Sequence, residues 1–300
     1  MKVRLIGAGA VGSVVAWKLY GNCDFALIVD HSRYERYSNG LVVNGNTIDF
    51  SLVEPKDGDE ADLVIFAVKN FQLDEAMDEA APFIGSRTAI LPLLNGIEAE
   101  GRLAERFGAE KVLYGFITDL SSTHSGLETV CFSDGGLIVF AEGDNRRTER
   151  VEEISRLFTA SGQRHKVAED IKHQKWWKFL LNTCFNTLSA ILLADNLAIS
   201  ENLDFIRACR LIAREVQSVA LAEGVSLTQD DVEGVIRRFT SHKDHGKTSM
   251  LQDVLAQRKT ENMYFAGAVC RMGKKHGIPT PYCEFISILL EARRHVQSVQ

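Results

Sequence analysis

The pattern of apolar and polar positions changes once along the chain. Through the first half, short runs rich in Val, Ile, Leu and Phe recur: VRLIGAG, FALIVD, ADLVIFAVK, RTAILPLLNG and KVLYGFIT. Stretches of helical spacing such as FQLDEAMDEAAPFI and GIEAEGRLAERFG lie between several of them. Strand and helix alternating in this way predict a parallel sheet covered by helices. The segment SGLETVCFSDGGLIVFAEGD, Ser125 to Asp144, has turn residues at its ends and middle and predicts a hairpin or antiparallel addition. From near Ile171 onward the spacing is helical. ENLDFIRACRLIAREVQSVALAEG stops at Gly224 as a helix should, and TQDDVEGVIRRF carries its acids early and its arginines late, complementing the helix dipole. The pattern therefore predicts an α/β domain over residues 1–168 and an all-helical domain over 169–300, with the change around residues 165–172.

One helical stretch breaks the pattern. In KWWKFLLNTCFN, Lys178, Asn182 and Asn186 recur every fourth residue among Trp177, Phe179, Leu180, Leu181 and Phe185. At helical spacing these three polar residues share one side of an otherwise apolar rod. A single lysine of this kind is usually a snorkelling surface residue, and a single asparagine a local hydrogen bond.

Length and composition narrow the class. Three hundred residues with 45% hydrophobic and 25% charged content describe an ordinary globular chain of about two domains. A net charge of −6 argues against a nucleic-acid or acidic-membrane footprint. Six scattered cysteines, with no C-x-x-C and no Cys/His cluster of zinc spacing, read as reduced thiols of a cytoplasmic protein, and no metal site is expected. The N-terminus MKVRLIGAGAVGSVVAWKLY superficially has the charge pattern of a secretory leader. Its three glycines at fixed offsets suit a strand and turn better. No segment approaches the length of apolar sequence that spans a bilayer.

That turn is the first candidate site. Gly7, Gly9 and Gly12, with Ala10 and Val11 between them, follow a strand-like run and open a helix, the context a Rossmann-type dinucleotide site requires. One glycine makes the turn, one admits a pyrophosphate to the backbone and one permits close helix packing, with the helix N-terminus facing the negative charge. The second strand ends at Asp30, where an acidic side chain binds the adenosine ribose of NAD, yet His31, Arg33 and Arg36 follow, and an arginine there holds the extra phosphate of NADP. The two signals conflict. As an alternative, Arg33 and Arg36 are the solvated face of the next helix.

Three further places offer polar groups. Asn95 in LLNGIE ends the fourth strand, and Lys69 in AVKNFQ, with Gln72 nearby, ends the third; in open parallel sheets such ends face the ligand. In TSMLQDVLAQRKTEN, Ser249, Asp253 and Glu261 fall on roughly one side of a helix if the segment is continuous. GAGAVGS, VKNFQ, LNG, WWKFLLNTCFNTLSAI, SMLQD, KTEN and HGIPTP together resemble the ketopantoate reductase family, in its order and at about its spacings, over essentially the whole chain. The resemblance implies a Rossmann domain, a helical substrate domain, an active site in the cleft between them, and NADP(H)-dependent reduction of a 2-oxo acid. By motif position it implies Lys178 as general acid and Glu261 as its partner at the substrate hydroxyl. It implies Asn95, Asn182, Asn186 and Asn196 as groups placing nicotinamide, lysine and substrate, Ser249 on the substrate carboxylate, and Lys69 and Gln72 near the cofactor. Asp30 stands where the family usually has a basic residue, which leaves NAD(H) open as the cofactor. Leu94 replaces a residue that is commonly polar, so a more apolar pocket is expected.

The chemistry asks for such groups. As hydride adds to a ketone, charge grows on oxygen, and a positioned ammonium both stabilises it and supplies the proton. Burial lowers a lysine pKa toward the working pH, while a carboxylate such as Glu261 raises it; the sequence does not decide the balance. The leading expectation is reduction of 2-dehydropantoate to pantoate by NADPH, a step toward coenzyme A. The alternatives are a reductase of another 2-oxo acid, an opine-type dehydrogenase, or a non-catalytic regulator sensing NADP(H), against which Lys178, Ser249 and Glu261 together speak. His276 in KKHGIPTP is read as a helix end, and Trp176 and Trp177 as packing. An exposed apolar helix face in the second domain would support a homodimer.

Overall fold

The computed structural model describes residues 1–299 of the chain, which divides into two compact units, Met1–Ile171 and Lys172–Gln300.

In the first unit the chain runs through β1 (Lys2–Ile6), α1 (Ala10–Leu19), β2 (Asp24–Ile28), α2 (His31–Tyr37), the short β3 (Leu41–Val43), β4 (Asn46–Ile48) and β5 (Ser51–Val53). It continues through β6 (Leu63–Phe66), α3 (Leu73–Ala80), β7 (Ala89–Pro92) and α4 (Ala99–Phe107). Five of these strands form one parallel sheet in the order β5-β2-β1-β6-β7. Counted by their place in the chain this is 3-2-1-4-5, the doubly wound order of dinucleotide-binding sheets, and the order reverses between β1 and β6. The central strands are mostly apolar, Arg4 of β1 excepted, because both faces are covered: Val3, Leu5, Leu63 and Ile65 pack on one side, Ile6, Val64, Phe66 and Ile90 on the other.

Two expectations change here. KVLYGFIT touches the parallel sheet only at its start, through a single parallel bridge of Val112 with Ile90 of β7; its strand, β8 (Tyr114–Thr118), then pairs antiparallel with β11 (Leu137–Ala141), which also carries β12 (His165–Val167) in parallel. The fifth parallel strand is β5, whose three residues are too short to announce themselves by pattern. The antiparallel addition is real but divided. β9 (Ser122–Ser125) and β10 (Glu128–Cys131) form the hairpin, joined to β3 and β4, while β11 leaves for β8. The helix α5 (Glu149–Ala160) completes this unit.

Among the described residues the second unit is helical: α6 (Ile171–Leu181), a π-turn over Asn182–Asn186, α7 (Thr187–Leu192), α8 (Asn196–Ser200), α9 (Leu203–Ala222), α10 (Gln229–Thr240), α11 (Ser249–Leu255), α12 (Ala266–His276) and α13 (Pro281–Val299). Boundaries follow local chemistry. Thr228 and Asp231 form a reciprocal capping box that starts α10, and Gly277, at φ +69°, ends α12 just after His276. No described helix is long and apolar enough to cross a membrane. All six cysteines are free thiols.

Candidate active site

The glycine turn is built as its spacing requires. Gly7 adopts φ +97°, and a Cβ there would come within 2.8 Å of the Ala67 backbone. A Cβ at Gly12 would lie 1.8 Å from the Gly7 carbonyl oxygen, so α1 can sit this close to the turn only with glycine. Gly9 differs: a Cβ there meets nothing within 4 Å, leaving open space directly over the backbone. Gly9 caps α1 without any side-chain hydrogen bond, and no acid occupies the first turn. The first-turn N–H groups therefore have no capping side chain, and the space above them is clear, which fits the pyrophosphate of a dinucleotide. Ser13 Oγ donates to the Ala8 carbonyl at 3.1 Å and braces the loop from behind.

The ends of β6 and β7 are tied together by a residue that sequence reasoning passed over. Asn70 is 1% exposed, and its Nδ2 donates to the Asn95 carbonyl at 2.8 Å. This bond positions Asn95 beside the point where strand order reverses. Lys69 and Gln72 flank it, with the Gln72 Oε1 accepting from the Lys69 backbone N–H at 3.4 Å. Leu94, expected to make the pocket more apolar, is buried in the core cluster with Val64, Phe66 and Ile90.

At the end of β2 the conflict between Asp30 and Arg33 takes a definite form. Asp30 caps α2, accepting from the Arg33 backbone N–H at 2.9 Å. Arg33 itself lies between two carboxylates, donating through Nε to Asp30 and through Nη2 to Glu79 on α3. Carboxylate oxygens of Asp30, Glu75 and Glu79 lie within 4.8 Å of one another. The Ser32 hydroxyl and Arg33 hold the Asp30 carboxyl down at about 2. Burial, reinforced by the charges of Asp30 and Glu75, pushes Glu79 above the usual carboxylate range despite Arg33. Arg33 is thus not a solvated helix-face residue.

In the second unit the polar stripe has an unexpected backbone. The helix is α-helical through Leu181 and then takes a π-turn over Asn182–Asn186. In an α-helix each four-residue step overshoots a full turn by about 40°, so a stripe drifts. The wider i→i+5 turn undershoots and offsets that drift, a local device often found at functional sites. At its end Thr187 Oγ1 donates to the Thr183 carbonyl at 2.5 Å, adding a side-chain hydrogen bond to an oxygen of the π-turn. Asn182 and Asn186 are both buried. Asn186 Nδ2 donates to Asn182 Oδ1 at 3.3 Å and to Ser249 Oγ at 3.4 Å, joining the stripe to the start of α11.

Glu261 reaches the site by a different route from the one its spacing suggests. The helix of TSMLQD ends at Leu255, Gln257 turns the chain at φ +54°, and Glu261 follows in an irregular segment before a short 3-10 turn. It is 4% exposed. Its neighbour Asn262 anchors that segment, donating from Nδ2 to the Ser287 carbonyl at 3.1 Å and to Ser287 Oγ at 3.0 Å on α13. Asp253 stays on α11 and accepts from Arg258 Nε at 2.9 Å. Asn196, at the start of α8, donates from Nδ2 to Asp244 Oδ1 at 2.9 Å and from its backbone N–H to the Gly246 carbonyl.

The electrostatics single out Lys178. Although part of its side chain is accessible, burial pushes its pKa from 10.5 down to about 7, helped by the Lys175 ammonium and opposed by Glu261. Lys175, one turn earlier on α6, is itself 3% exposed. A lysine near neutrality exchanges its proton readily in either direction.

Comparison with known proteins follows the same layout. The family model described as ketopantoate reductase PanE/ApbA matches residues 3–145, and its C-terminal counterpart matches residues 170–294. The chain belongs to the ketopantoate reductase family. As a member it is an oxidoreductase acting on CH–OH groups with a nicotinamide cofactor. The 2-dehydropantoate 2-reductase of Streptococcus pyogenes serotype M3 is 26% identical over 310 residues, covering all of both chains. Among solved structures, a D-mandelate dehydrogenase with NADH and anilino(oxo)acetate superposes with a TM-score of 0.89 at 25% identity over all of both chains. The 2-dehydropantoate 2-reductase of Geobacter metallireducens GS-15 gives 0.87 at 26%, covering 97% of this chain and 99% of that one.

Proposed function

We propose that this member of the ketopantoate reductase family reduces 2-dehydropantoate to pantoate, with Lys178 as the general acid. The observation that carries the reading is Lys178 itself: a lysine held near neutrality by burial, one turn from a second buried lysine and opposed by Glu261, at the start of a stripe tied through Asn186 to Ser249. When bound, the nicotinamide supplies the hydride. The residues of this chain then divide the work between a dinucleotide domain, 1–168, and a helical substrate domain, 169–300. Gly7, Gly9, Ala10, Val11 and Gly12 receive the pyrophosphate; Lys69, Gln72 and Asn95 serve the nicotinamide side. Lys178 Nζ gives its proton to the carbonyl oxygen as charge develops there, and Glu261 binds the hydroxyl that results. Asn182, Asn186 and Asn196 orient lysine and substrate, and Ser249 takes the carboxylate.

For the cofactor, the phosphate-reading role of Arg33 is weakened by its surroundings. Asp30 and Glu79 already hold the guanidinium, and Glu75 adds a third negative charge nearby. A 2′-phosphate would meet repulsion and compete for that arginine, so the chain accepts NADH alongside NADPH with little discrimination.

A second reading is favoured by the likeness to D-mandelate dehydrogenase: a substrate with an aromatic side chain in place of the branched hydroxyalkyl group of 2-dehydropantoate. A panel of 2-oxo acids including 2-dehydropantoate and phenylglyoxylate, assayed with both dinucleotides by loss of reduced-nicotinamide absorbance, separates the two. Highest kcat/KM for 2-dehydropantoate supports the first; brisk turnover of phenylglyoxylate with none of 2-dehydropantoate replaces it. The exposed apolar positions Tyr282, Phe285, Ile288, Leu289 and Val296 recur along α13 and support a homodimer through this helix, which light scattering of the intact protein would read as a doubled mass.

A further inference from the structure

Beyond the stripe, Asn196 sits in a junction between α8 and the segment that precedes α11. The Asn196 and Leu197 backbone N–H groups donate to the Gly246 and Asp244 carbonyls, each at 2.9 Å. Asp244 Oδ1 accepts from Asn196 Nδ2 at 2.9 Å and from the Gly246 N–H at 2.7 Å. His245 Nδ1 meets Asp195 Oδ2 at 2.8 Å and adds a further tie. The junction is tightly packed. A Cβ at Gly246 would lie 2.6 Å from both Asn196 Nδ2 and Asp244 Oδ1, so only glycine lets the chain close over that hydrogen bond.

The same segment runs on into the stripe. Thr248 Oγ1 lies 2.6 Å from Ser189 Oγ of α7, and Ser249 Oγ accepts from Asn186 Nδ2 at 3.4 Å. From Gly246 to Ser249 the chain can span at most about 11 Å, so Asn186, Ser249 and Asn196 are held close to one another within the second unit. Asp244 decides which way the Asn196 amide points. Its carboxyl is held below the usual carboxylate range by the Asn196 amide and the Gly246 N–H, so at neutral pH it is ionised and can only accept. It therefore takes Nδ2. The Asn196 Oδ1 is left on the other side of the amide, where none of the described residues donates to it. An oxygen fixed in this way accepts from a hydroxyl and is left unmatched against an apolar group.

We propose that Asp244 is a positioning residue for substrate selection: by fixing the Asn196 amide with its oxygen outward, it makes the site favour 2-oxo acids that carry a side-chain hydroxyl over those whose side chain is wholly apolar. The inference rests on the reading above, which places Asn196 and Ser249 on the substrate. Asp244 acts through Asn196 rather than on the reacting atoms.

The test compares, in the full-length protein, kcat/KM for 2-dehydropantoate with kcat/KM for trimethylpyruvate, the same acid without its hydroxyl. The wild type should favour the hydroxylated acid by about tenfold or more. Asp244→Ala should cut that ratio severalfold with dinucleotide affinity unchanged, and Asp244→Asn, whose amide oxygen can still accept from Asn196, should recover most of it. Asn196→Ala should cut the ratio as far, and the double variant no further. A merely structural role would slow both acids alike and leave the ratio in place. If Asp244→Ala does not fold, Asp244→Ser, too short to reach Asn196, replaces it. A wild type that prefers the hydroxylated acid, with the ratio unchanged in the folded Asp244 variants or with additive losses in the double variant, would overturn the role of Asp244 alone. A wild type with no preference would overturn it together with the substrate reading.

Discussion

Burial lowers the Lys178 pKa most and the Lys175 ammonium adds to it, so removing that like charge must raise the pKa part of the way back. Lys175→Met keeps the bulk and apolar stem of a buried side chain while deleting the ammonium one turn from Lys178. Residues three apart on a helix are roughly 5–6 Å apart at Cβ. Two unit charges about 6 Å apart repel by about 3 kcal/mol at an effective dielectric of 20, and by under about 1 kcal/mol in bulk water. The deletion should therefore move the Lys178 pKa upward by about one pH unit, from the value of about 7. Glu261→Gln removes the opposing charge and should move it downward. The assay is the pH profile of kcat/KM. Reduction needs the protonated lysine, so wild-type activity should fall above pH ~7, and oxidation of the hydroxy acid, which needs the neutral amine, should rise through the same point. In Lys175→Met both midpoints should shift to higher pH. A profile that stays in place, or shifts downward, would refute the electrostatic account. Stability carries the same signature. With a folded pKa of about 7 against 10.5 unfolded, the unfolded chain binds more protons between those values, so the contribution of Lys178 to stability rises with pH across that window and is least favourable below it. The full depression corresponds to about 5 kcal/mol.

The two exposed faces of the cofactor site give sharper contrasts. Gly9→Ala should fold normally, because its Cβ meets nothing within 4 Å, yet weaken dinucleotide binding at least tenfold by filling the space over α1; Gly12→Ala, with its Cβ 1.8 Å from the Gly7 oxygen, should lower the melting temperature markedly. Equal melting temperatures for the two would undo that distinction. Glu79→Gln frees one partner of Arg33 and should raise the NADPH-to-NADH ratio of kcat/KM severalfold, consistent with about 1 kcal/mol for a partly exposed charge pair; an unchanged ratio would remove Glu79 from cofactor choice.

Much of the architecture was legible in the sequence because burial leaves a periodic trace. The runs ending at Ile6, Ile28, Phe66 and Pro92 are mostly apolar, as strands covered on both faces are, with Arg4 the buried exception, paired to Asp24 at the start of β2. Pairing leaves no such trace. Nothing local distinguishes β8 from a parallel strand, and its antiparallel partner β11 arises some twenty residues later. Within the site, the residue types of the stripe announced its polarity, but the π-turn over Asn182–Asn186 that offsets its drift leaves no mark in the apolar spacing. Glu261 showed a helical spacing from Ser249 that the structure does not use, since the chain turns at Gln257. Arg33 could not be resolved from sequence because its deciding partner, Glu79, comes from another helix, forty-six residues away.

The central claim is that Lys178 supplies the proton. Lys178→Ala, measured for steady-state turnover of the best oxo acid and in parallel for dinucleotide affinity by fluorescence titration, tests it most directly. The account predicts a fall in kcat of at least about a thousandfold, in line with the loss of a general acid that also stabilises developing charge, with dinucleotide affinity unchanged. Turnover within tenfold of the wild type would contradict it.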